Sequence, residues 1–113
     1  MTDPATLARD HYQDLDAGDY AGMRDRLTPD FRHVRGDQTL EGRDRFVRFM
    51  RDERPETDTT HEIETVFEGD AAVAVRGRLR RPDGTVWFGF VDVFSLDGDR
   101  FGELVTYTNS RLK

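Results

Sequence analysis

The sequence predicts a single α+β domain over residues 1–113, and three observations lead to this fold class. Apolar residues recur every three or four positions in the first half of the chain, which indicates helices. Beyond residue 60 they alternate with polar residues, and turn signals recur at residues 68–70, 82–84 and 97–99, which indicates strands. We expect three N-terminal helices on one face of a curved, mostly antiparallel four-strand meander. A short strand after helix 2 and a cone-shaped central pocket complete the expected fold.

The first two helices are predicted from their ends. Asp3 before Pro4 is typical of a helix start, and Gly18 suits the left-handed residue after a helix, so helix 1 is expected at residues 4–17. Helix 2 follows Asp19 and stops before Pro29. Its apolar stripe is Tyr20, Met23 and Leu27.

An extended segment at residues 31–35 separates helix 2 from helix 3, and a turn follows at residues 36–37. The side chains on one side of this segment are Phe31, His33 and Arg35. Helix 3 is expected at about residues 42–53. Its buried residues are Phe46, Val47, Phe49 and Met50.

Four meander strands are expected at residues 61–67, 71–80, 85–95 and 101–111. Opposite charges predict that Glu62 faces Arg78 and Glu64 faces Arg76, because such pairs stabilise neighbouring strands. This register places Ile63, Thr65 and Phe67 on the inner face. In the next hairpin the expected pairs are Arg78 with Trp87, Gly77 with Phe88, Val75 with Phe90 and Val73 with Asp92.

The third strand is an apolar run with one acid in its middle. Side chains alternate between the faces of a strand, so Asp92 shares its face with Phe88, Phe90 and Phe94. An unpartnered carboxylate among phenylalanines would carry a large desolvation penalty. We therefore expect Asp92 to face a pocket and to have a hydrogen-bond partner. The candidate partners are His11, Tyr12, His33 and Arg35.

The composition argues against several classes of function. A formal net charge of −6 argues against general binding to nucleic acid or anionic membranes. The chain has no cysteine, no leader-like start and no apolar run near the ~20 residues of a membrane span, so a soluble cytoplasmic protein is expected. His11, His33 and His61 lack metal-ligand spacing, and the glycines follow no phosphate-loop or dinucleotide pattern. Neither a metal nor a cofactor is expected.

Three stretches suggest a family: residues 15–19 at the end of helix 1, residues 29–33 after helix 2, and residues 90–94 on the third meander strand. The chain resembles the nuclear transport factor 2-like superfamily, in its SnoaL-like and ketosteroid-isomerase-like branch. The resemblance covers nearly the whole chain and implies the same cone-shaped fold. In ketosteroid isomerases a protonated Asp on the third meander strand and a Tyr on helix 1 form an oxyanion hole, while a second Asp moves the proton.

The resemblance also implies roles for individual residues. Asp92 matches the strand acid, and the helix 1 position falls on His11, with Tyr12 next to it. Where the second Asp should stand, this sequence has Arg35, with His33 two residues earlier on the same side. The catalytic candidates are therefore Asp92, as acid or oxyanion donor, and His33, as base. The ordinary histidine pKa of ~6.5 suits proton transfer near neutrality.

Each candidate also has a structural interpretation. His33 could be a hydrogen-bonded strand histidine, and Arg35 could either clamp a substrate carboxylate or neutralise Asp92. His11 and Tyr12 could pack in the core with their polar tips toward the pocket. The residues expected to contact a substrate are His11, Tyr12, Phe31, Arg35, Phe49, Val75, Phe88, Phe90, Leu104 and Thr106.

Three hypotheses about function follow. The first is a small-molecule-binding, cofactor-independent isomerase, cyclase or dehydratase that acts on a small, mostly apolar carbonyl compound. The second is a non-catalytic ligand-binding domain in which Asp92 and Arg35 form a structural pair. The third is a dimeric scaffold whose pocket is filled by its own phenylalanines. A homodimer is expected because Trp87, Val91 and Val93 form an apolar strip on the sheet face away from the helices.

Overall fold

A computed structural model describes residues 3–109 and confirms the α+β class. The helical segments are α1 (Pro4–Ala17), α2 (Tyr20–Asp25) and α3 (Arg43–Arg48), which continues into a π-helical turn at Phe49–Glu53. The strands are β1 (Leu27–Val34), β2 (Thr39–Glu41), β3 (Thr60–Glu68), β4 (Ala72–Arg80), β5 (Val86–Asp97) and β6 (Arg100–Asn109). They form one six-stranded sheet in the order β2-β1-β6-β5-β4-β3. No helix among residues 3–109 has the length and apolar character needed to cross a membrane.

Helix α1 has the predicted bounds and the predicted caps. The Asp3 carboxylate accepts a hydrogen bond from the Thr6 N–H at 3.1 Å, and Gly18 ends the helix at φ 77°. One face of the helix is buried against the sheet, where α1 contacts β3 and β4. The buried residues are Leu7, Ala8, His11, Tyr12 and Leu15.

Helix α2 is shorter than predicted, and the assignment of Leu27 to its apolar stripe is wrong. Leu27 begins β1 and pairs with Phe101 of β6, next to a hydrogen bond from the Phe101 N–H to the Arg26 carbonyl at 2.8 Å. This pairing joins residues far apart in sequence, so no local pattern could reveal it. Pro29 lies in the strand, and the ladder is irregular between Leu27 and Arg32, which accommodates a residue without an N–H.

The segment predicted at residues 31–35 is the second half of β1. It turns back through a hairpin, closed by the Arg35 N–H bonded to the Gln38 carbonyl at 2.9 Å, into the unpredicted strand β2. β1 also lies parallel to β6, with His33 beside Leu104. The sheet therefore has six strands instead of the four and one short strand expected. The predicted end of the last strand, residues 110–111, lies outside the described residues.

The register of the first hairpin is half as predicted. Glu62 faces Arg78 as expected, but the ladder shifts at Glu64, so that Arg76 faces Thr65. The side chains of the expected pair still meet, with Arg76 Nε 3.4 Å from Glu64 Oε1. Beyond this bulge every side chain changes face. The assignment of Phe67 to the inner face is therefore wrong, because Phe67 is 56% exposed. The assignment of Thr65 to the inner face is wrong for the same reason, since Val66 takes the inner position opposite Val75.

The register of the second hairpin is wrong by two residues. Val75 faces Asp92 instead of the expected Phe90, and Gly77 faces Phe90 instead of the expected Phe88. The turn accounts for one residue of the shift, since the Arg81 N–H bonds the Thr85 carbonyl and Arg80 pairs with Val86. A bulge accounts for the other, since Leu79 pairs with Phe88 and Trp87 is left without a partner in the ladder. A shift of two residues returns each side chain to its own face. Asp92 therefore still lies on the inner side of the sheet.

Candidate active site

A cavity of about 590 Å³ opens between the helices and the inner face of the sheet. Its volume lies within the range of small-molecule pockets, ~300–1,000 Å³. The predicted site residues that line it are His11, Tyr12, His33, Arg35, Phe88, Phe90, Asp92, Leu104 and Thr106. The cavity is open space, which argues against the scaffold hypothesis of a pocket filled by phenylalanines.

Three residues expected to contact a substrate lie instead in the core. Phe31 is fully buried and packs edge-on against Phe46, with ring centroids 4.9 Å apart. Val75 is fully buried beside Asp92, and Phe49 is buried near the start of the π-helical turn. None of these three lines the cavity. They shape it from behind instead.

Asp92 lies at the centre of a buried polar network. The Tyr12 hydroxyl donates to Asp92 Oδ2 at 2.5 Å, and the Thr106 hydroxyl donates to Asp92 Oδ1 at 2.6 Å. The β5–β6 register places Thr106 directly opposite Asp92, and α1 brings Tyr12 to it. Asp92 is 6% exposed. Its partner is thus one of the four expected, together with a threonine not considered as a partner.

Burial raises the pKa values of both members of the Tyr12–Asp92 pair. Loss of hydration raises the pKa of the Asp92 carboxyl, although the hydrogen bonds from Thr106 and Tyr12 oppose this. Burial also raises the pKa of Tyr12, and the Asp92 charge next to it acts in the same direction. The pair is therefore poised to hold protons beside an apolar space.

His33 extends the network through Thr106. His33 Nε2 lies 2.7 Å from Thr106 Oγ1, and since the single Thr106 proton goes to Asp92, Nε2 is the N–H donor in this contact. Burial lowers the pKa of His33 to about 3, and the Arg35 charge adds to the effect. The predicted role of base needs a basic nitrogen that a substrate can reach, whereas the lone pair lies on Nδ1, which is buried and has no hydrogen-bond partner among the described residues. This geometry favours the structural interpretation of His33.

Arg35 does not pair with Asp92, so the structural Asp92–Arg35 pair is wrong. Its Nε lies 3.2 Å from Asp37 Oδ1, and its guanidinium lies 4.7 Å from the centre of the Phe49 ring. The physical reason is that β1 ends at Val34, so Arg35 belongs to the following turn and not to the strand face. It lines the cavity from this turn.

His11 is buried among aromatic rings. Its ring centroid lies 5.3 Å from that of Phe94 in an edge-on contact and 6.1 Å from that of Phe46 in a stacked one. Burial lowers the pKa of His11 to about 3, with the charges of His61, His33 and Arg26 adding to the effect. His11 is thus a neutral histidine in the apolar wall of the cavity.

The sequence matches the SnoaL-like domain family over residues 8–104. The chain belongs to the SnoaL-like domain family. This agrees with the resemblance inferred from the three stretches. No curated protein matches this SnoaL-like domain significantly.

Solved structures confirm the fold of this SnoaL-like domain. A nuclear transport factor 2-like protein of unknown function from Cytophaga hutchinsonii aligns with a TM-score of 0.84 at 15% identity, covering 98% of this chain and 94% of that one. A Kribbella flavida protein provisionally named a ketosteroid isomerase aligns with a TM-score of 0.84 at 16% identity, covering 96% of this chain and 78% of that one. A Sinorhizobium meliloti protein provisionally named a polyketide cyclase aligns with a TM-score of 0.79 at 13% identity, covering 90% of this chain and 94% of that one. At these identities the likeness concerns the fold alone.

The SnoaL-like domain has a further cavity residue, held by a carboxylate, whose role sequence reasoning missed. His61 lines the cavity, and its Nδ1 lies 2.6 Å from Asp16 Oδ1. The two residues are 45 positions apart on α1 and β3, so no local spacing signals their contact. Among residues 3–109 no group of three or more His, Cys, Asp or Glu side chains is placed to hold a metal ion.

Proposed function

We propose that this protein binds a small, mostly apolar carbonyl compound and moves a proton next to the carbonyl, as a cofactor-independent isomerase, cyclase or dehydratase. The observation that carries the proposal is the 2.5 Å hydrogen bond between Tyr12 and Asp92, buried at the wall of an apolar cavity. The family and the fold are consistent with it.

The chemistry follows from the raised pKa values of the pair, which favour the protonated form of each group. A carbonyl oxygen placed beside the pair would accept the Tyr12 proton in place of Asp92 Oδ2, together with a hydrogen bond from the protonated Asp92 carboxyl. When a proton leaves the neighbouring carbon, negative charge develops on this oxygen. Donors that are fixed in advance in a dry site stabilise such charge strongly. Thr106 and His33 act here as positioning residues, because they hold the Asp92 carboxyl in place.

The cavity wall supports an apolar substrate. Phe88, Phe90 and Leu104 line it beside the polar network, and Arg35 lines it from the turn after β1. We propose that the apolar side chains hold the body of the ligand. Arg35 already has Asp37 as a partner, so it contributes to the wall mainly through its stem and its contact with Phe49.

A ligand-binding domain without turnover is the second candidate. It is favoured by one observation: His33, which was expected to serve as base, has Nε2 on Thr106 and its other ring nitrogen buried. The two candidates differ in a single measurable property, since both predict that the cavity binds a carbonyl compound or its enolate analogue. Only the first predicts proton exchange.

Two bicyclic probes separate the candidates. Binding of 2-naphthol, a mimic of an enolate, is followed by its fluorescence, and exchange of the α-protons of 2-tetralone in D2O is followed by proton NMR. We expect Tyr12→Phe and Asp92→Asn to weaken naphthol binding by about tenfold. The same variants should slow exchange by about 100-fold. The matched control is Asp99→Asn, in the exposed turn before β6, which should behave as wild type.

The outcomes are distinct. Binding and exchange that both depend on Tyr12 and Asp92 support the enzyme. Binding that depends on them without any exchange supports the binding domain. If both variants bind and exchange like the wild-type protein, the pair has neither role and the proposal fails.

We also propose that the protein forms a homodimer through the outer face of the sheet. Val91 and Tyr107 are cross-strand neighbours on this face, and Tyr107 is 61% exposed. Val93 and Val105 continue the apolar strip along the same two strands. Trp87, which was expected in this strip, instead lines the cavity and packs against the Arg81 guanidinium. A strip of this kind is typical of a face that a second copy covers.

A further inference from the structure

His61 is held by both oxygens of one carboxylate. Its Nδ1 lies 2.6 Å from Asp16 Oδ1, and its backbone N–H donates to Asp16 Oδ2 at 2.8 Å. Asp16 belongs to the last turn of α1, and His61 is the second residue of β3. Since the carboxylate contacts both the main chain and the ring of His61, it sets the position and the tilt of the imidazole.

The contact with Asp16 also sets the tautomer. A carboxylate accepts hydrogen bonds, so Nδ1 carries the proton and Nε2 keeps the lone pair. Among residues 3–109 no hydrogen bond reaches His61 Nε2, and His61 lines the cavity. Its ring centroid lies 5.1 Å from that of Tyr12 and 5.6 Å from that of Phe90. A basic nitrogen is thus available one ring away from the Tyr12–Asp92 pair.

We propose that His61 is the general base of this cavity and that Asp16 is its positioning residue. The inference rests on the proposed function, because it takes the Tyr12–Asp92 pair as the site of the carbonyl oxygen. A catalytic imidazole whose other nitrogen is held by a carboxylate is a recurrent arrangement for proton transfer.

The proposed step balances without a cofactor. His61 Nε2 takes a proton from the carbon next to the carbonyl, and the electron pair of that C–H bond forms a carbon–carbon double bond. The carbonyl π electrons move to the oxygen, which Tyr12 and Asp92 stabilise by hydrogen bonding. The His61 imidazolium, paired with the Asp16 carboxylate, then returns the proton to the same or another carbon.

The other two histidines of the cavity are less suited to this role. Burial lowers the pKa of both His11 and His33 to about 3, so neither readily accepts a proton near neutrality. Neither has a carboxylate in contact with its ring among the described residues. His61 is the histidine whose protonated form would have an anion 2.6 Å away.

The first test measures exchange and binding in parallel. We expect His61→Gln to slow α-proton exchange of 2-tetralone by about 100-fold or more, while the affinity for 2-naphthol changes less than about threefold. His61→Ala should regain part of the rate when imidazole is added. Asp16→Asn should slow exchange without weakening naphthol binding, and the control Asp10→Asn, on the same helix, should match wild type.

The second test needs no substrate, and its deciding measurement uses the wild-type protein. Nitrogen NMR of the wild-type protein with labelled histidine should show His61 with a protonated Nδ1 and an unprotonated Nε2. In Asp16→Asn the two tautomers should mix, a change that a purely structural role of the carboxylate would not require. A wild-type His61 protonated on Nε2 alone overturns the inference.

The failures of the two proposals are distinguishable. If exchange depends on Tyr12 and Asp92 but survives His61→Gln, the base is elsewhere and only this inference is lost. If the wild-type protein does not exchange the probe at all, both the proposed enzyme and its base are overturned. Exchange lost in His61→Gln together with naphthol binding would show that His61 only shapes the cavity, which also overturns the inference.

Discussion

Mild acid should destabilise this protein before its surface carboxylates titrate. His11 and His33 are buried and neutral, and their pKa values are lowered to about 3. A histidine in the unfolded chain has a pKa of ~6.5. At a pH between these two pKa values, each histidine is protonated in the unfolded chain and unprotonated in the folded protein. The stability that each neutral histidine contributes is therefore present above pH ~6.5 and is lost progressively below it.

The size of the effect follows from linkage. Each histidine makes the free energy of unfolding fall by ~1.4 kcal/mol per pH unit below its unfolded pKa, so moving from pH 7 to pH 5 costs about 2 kcal/mol per histidine. Asp92 changes the free energy of unfolding in the opposite direction as the pH falls. Its pKa is raised, so the folded protein keeps this proton to higher pH than the unfolded chain does. One acid therefore offsets part of the loss caused by two histidines, and the free energy of unfolding should be lower at pH 5 than at pH 7.

Urea unfolding at pH 7 and pH 5, followed by the fluorescence of Trp87, measures the difference directly. The variant His11→Phe keeps a ring among the aromatic neighbours of His11 and removes one proton site, so it should reduce the pH-dependent loss by about 2 kcal/mol. Asp92→Asn should steepen it, because the offsetting group is gone. Equal stability of the wild-type protein at the two pH values, or an unchanged loss in His11→Phe, would refute the reasoning.

Two further predictions concern the sheet. Gly77→Ala should lower the free energy of unfolding by about 1–3 kcal/mol, because the new Cβ would clash with the Glu62 carbonyl and lie 2.9 Å from the Phe90 ring. The control is Gly36→Ala, whose new Cβ would have no atom within 4 Å, and equal unfolding midpoints of the two variants would contradict the register. Tyr107→Glu should convert the proposed dimer to a monomer in light scattering, and a wild-type monomer at tens of micromolar would remove the dimer.

Part of the site was predictable because local rules govern it. The alternation of a strand places Asp92 among Phe88, Phe90 and Phe94 from the sequence alone, and neither the bulge nor the shift of register altered its face. The caps of α1 likewise determine where that helix starts and stops, since Asp3 and Gly18 act on residues next to them.

The partners of these residues were not predictable in the same way. Sequence reasoning named Tyr12 only as one of four candidates for Asp92, and the pairing of Arg35 with Asp92 was wrong because β1 ends one residue earlier. Thr106 was expected to contact a substrate, and its role as the link between Asp92 and His33 depends on the β5–β6 register. A register is decided by turn length and bulges, which small changes in sequence can shift.

The sequence by itself determined the α+β class, the helix and strand periods, and the acid on an apolar strand face, because each depends on residues within a few positions of one another. The tertiary structure alone decided that β1 lies beside β6, that Phe67 faces outward, and that Asp16 meets His61 at the cavity. These contacts join segments up to 74 positions apart, as Leu27 and Phe101 are. Such contacts form only when the whole chain has packed, because their energy depends on burial and geometry that no local stretch contains.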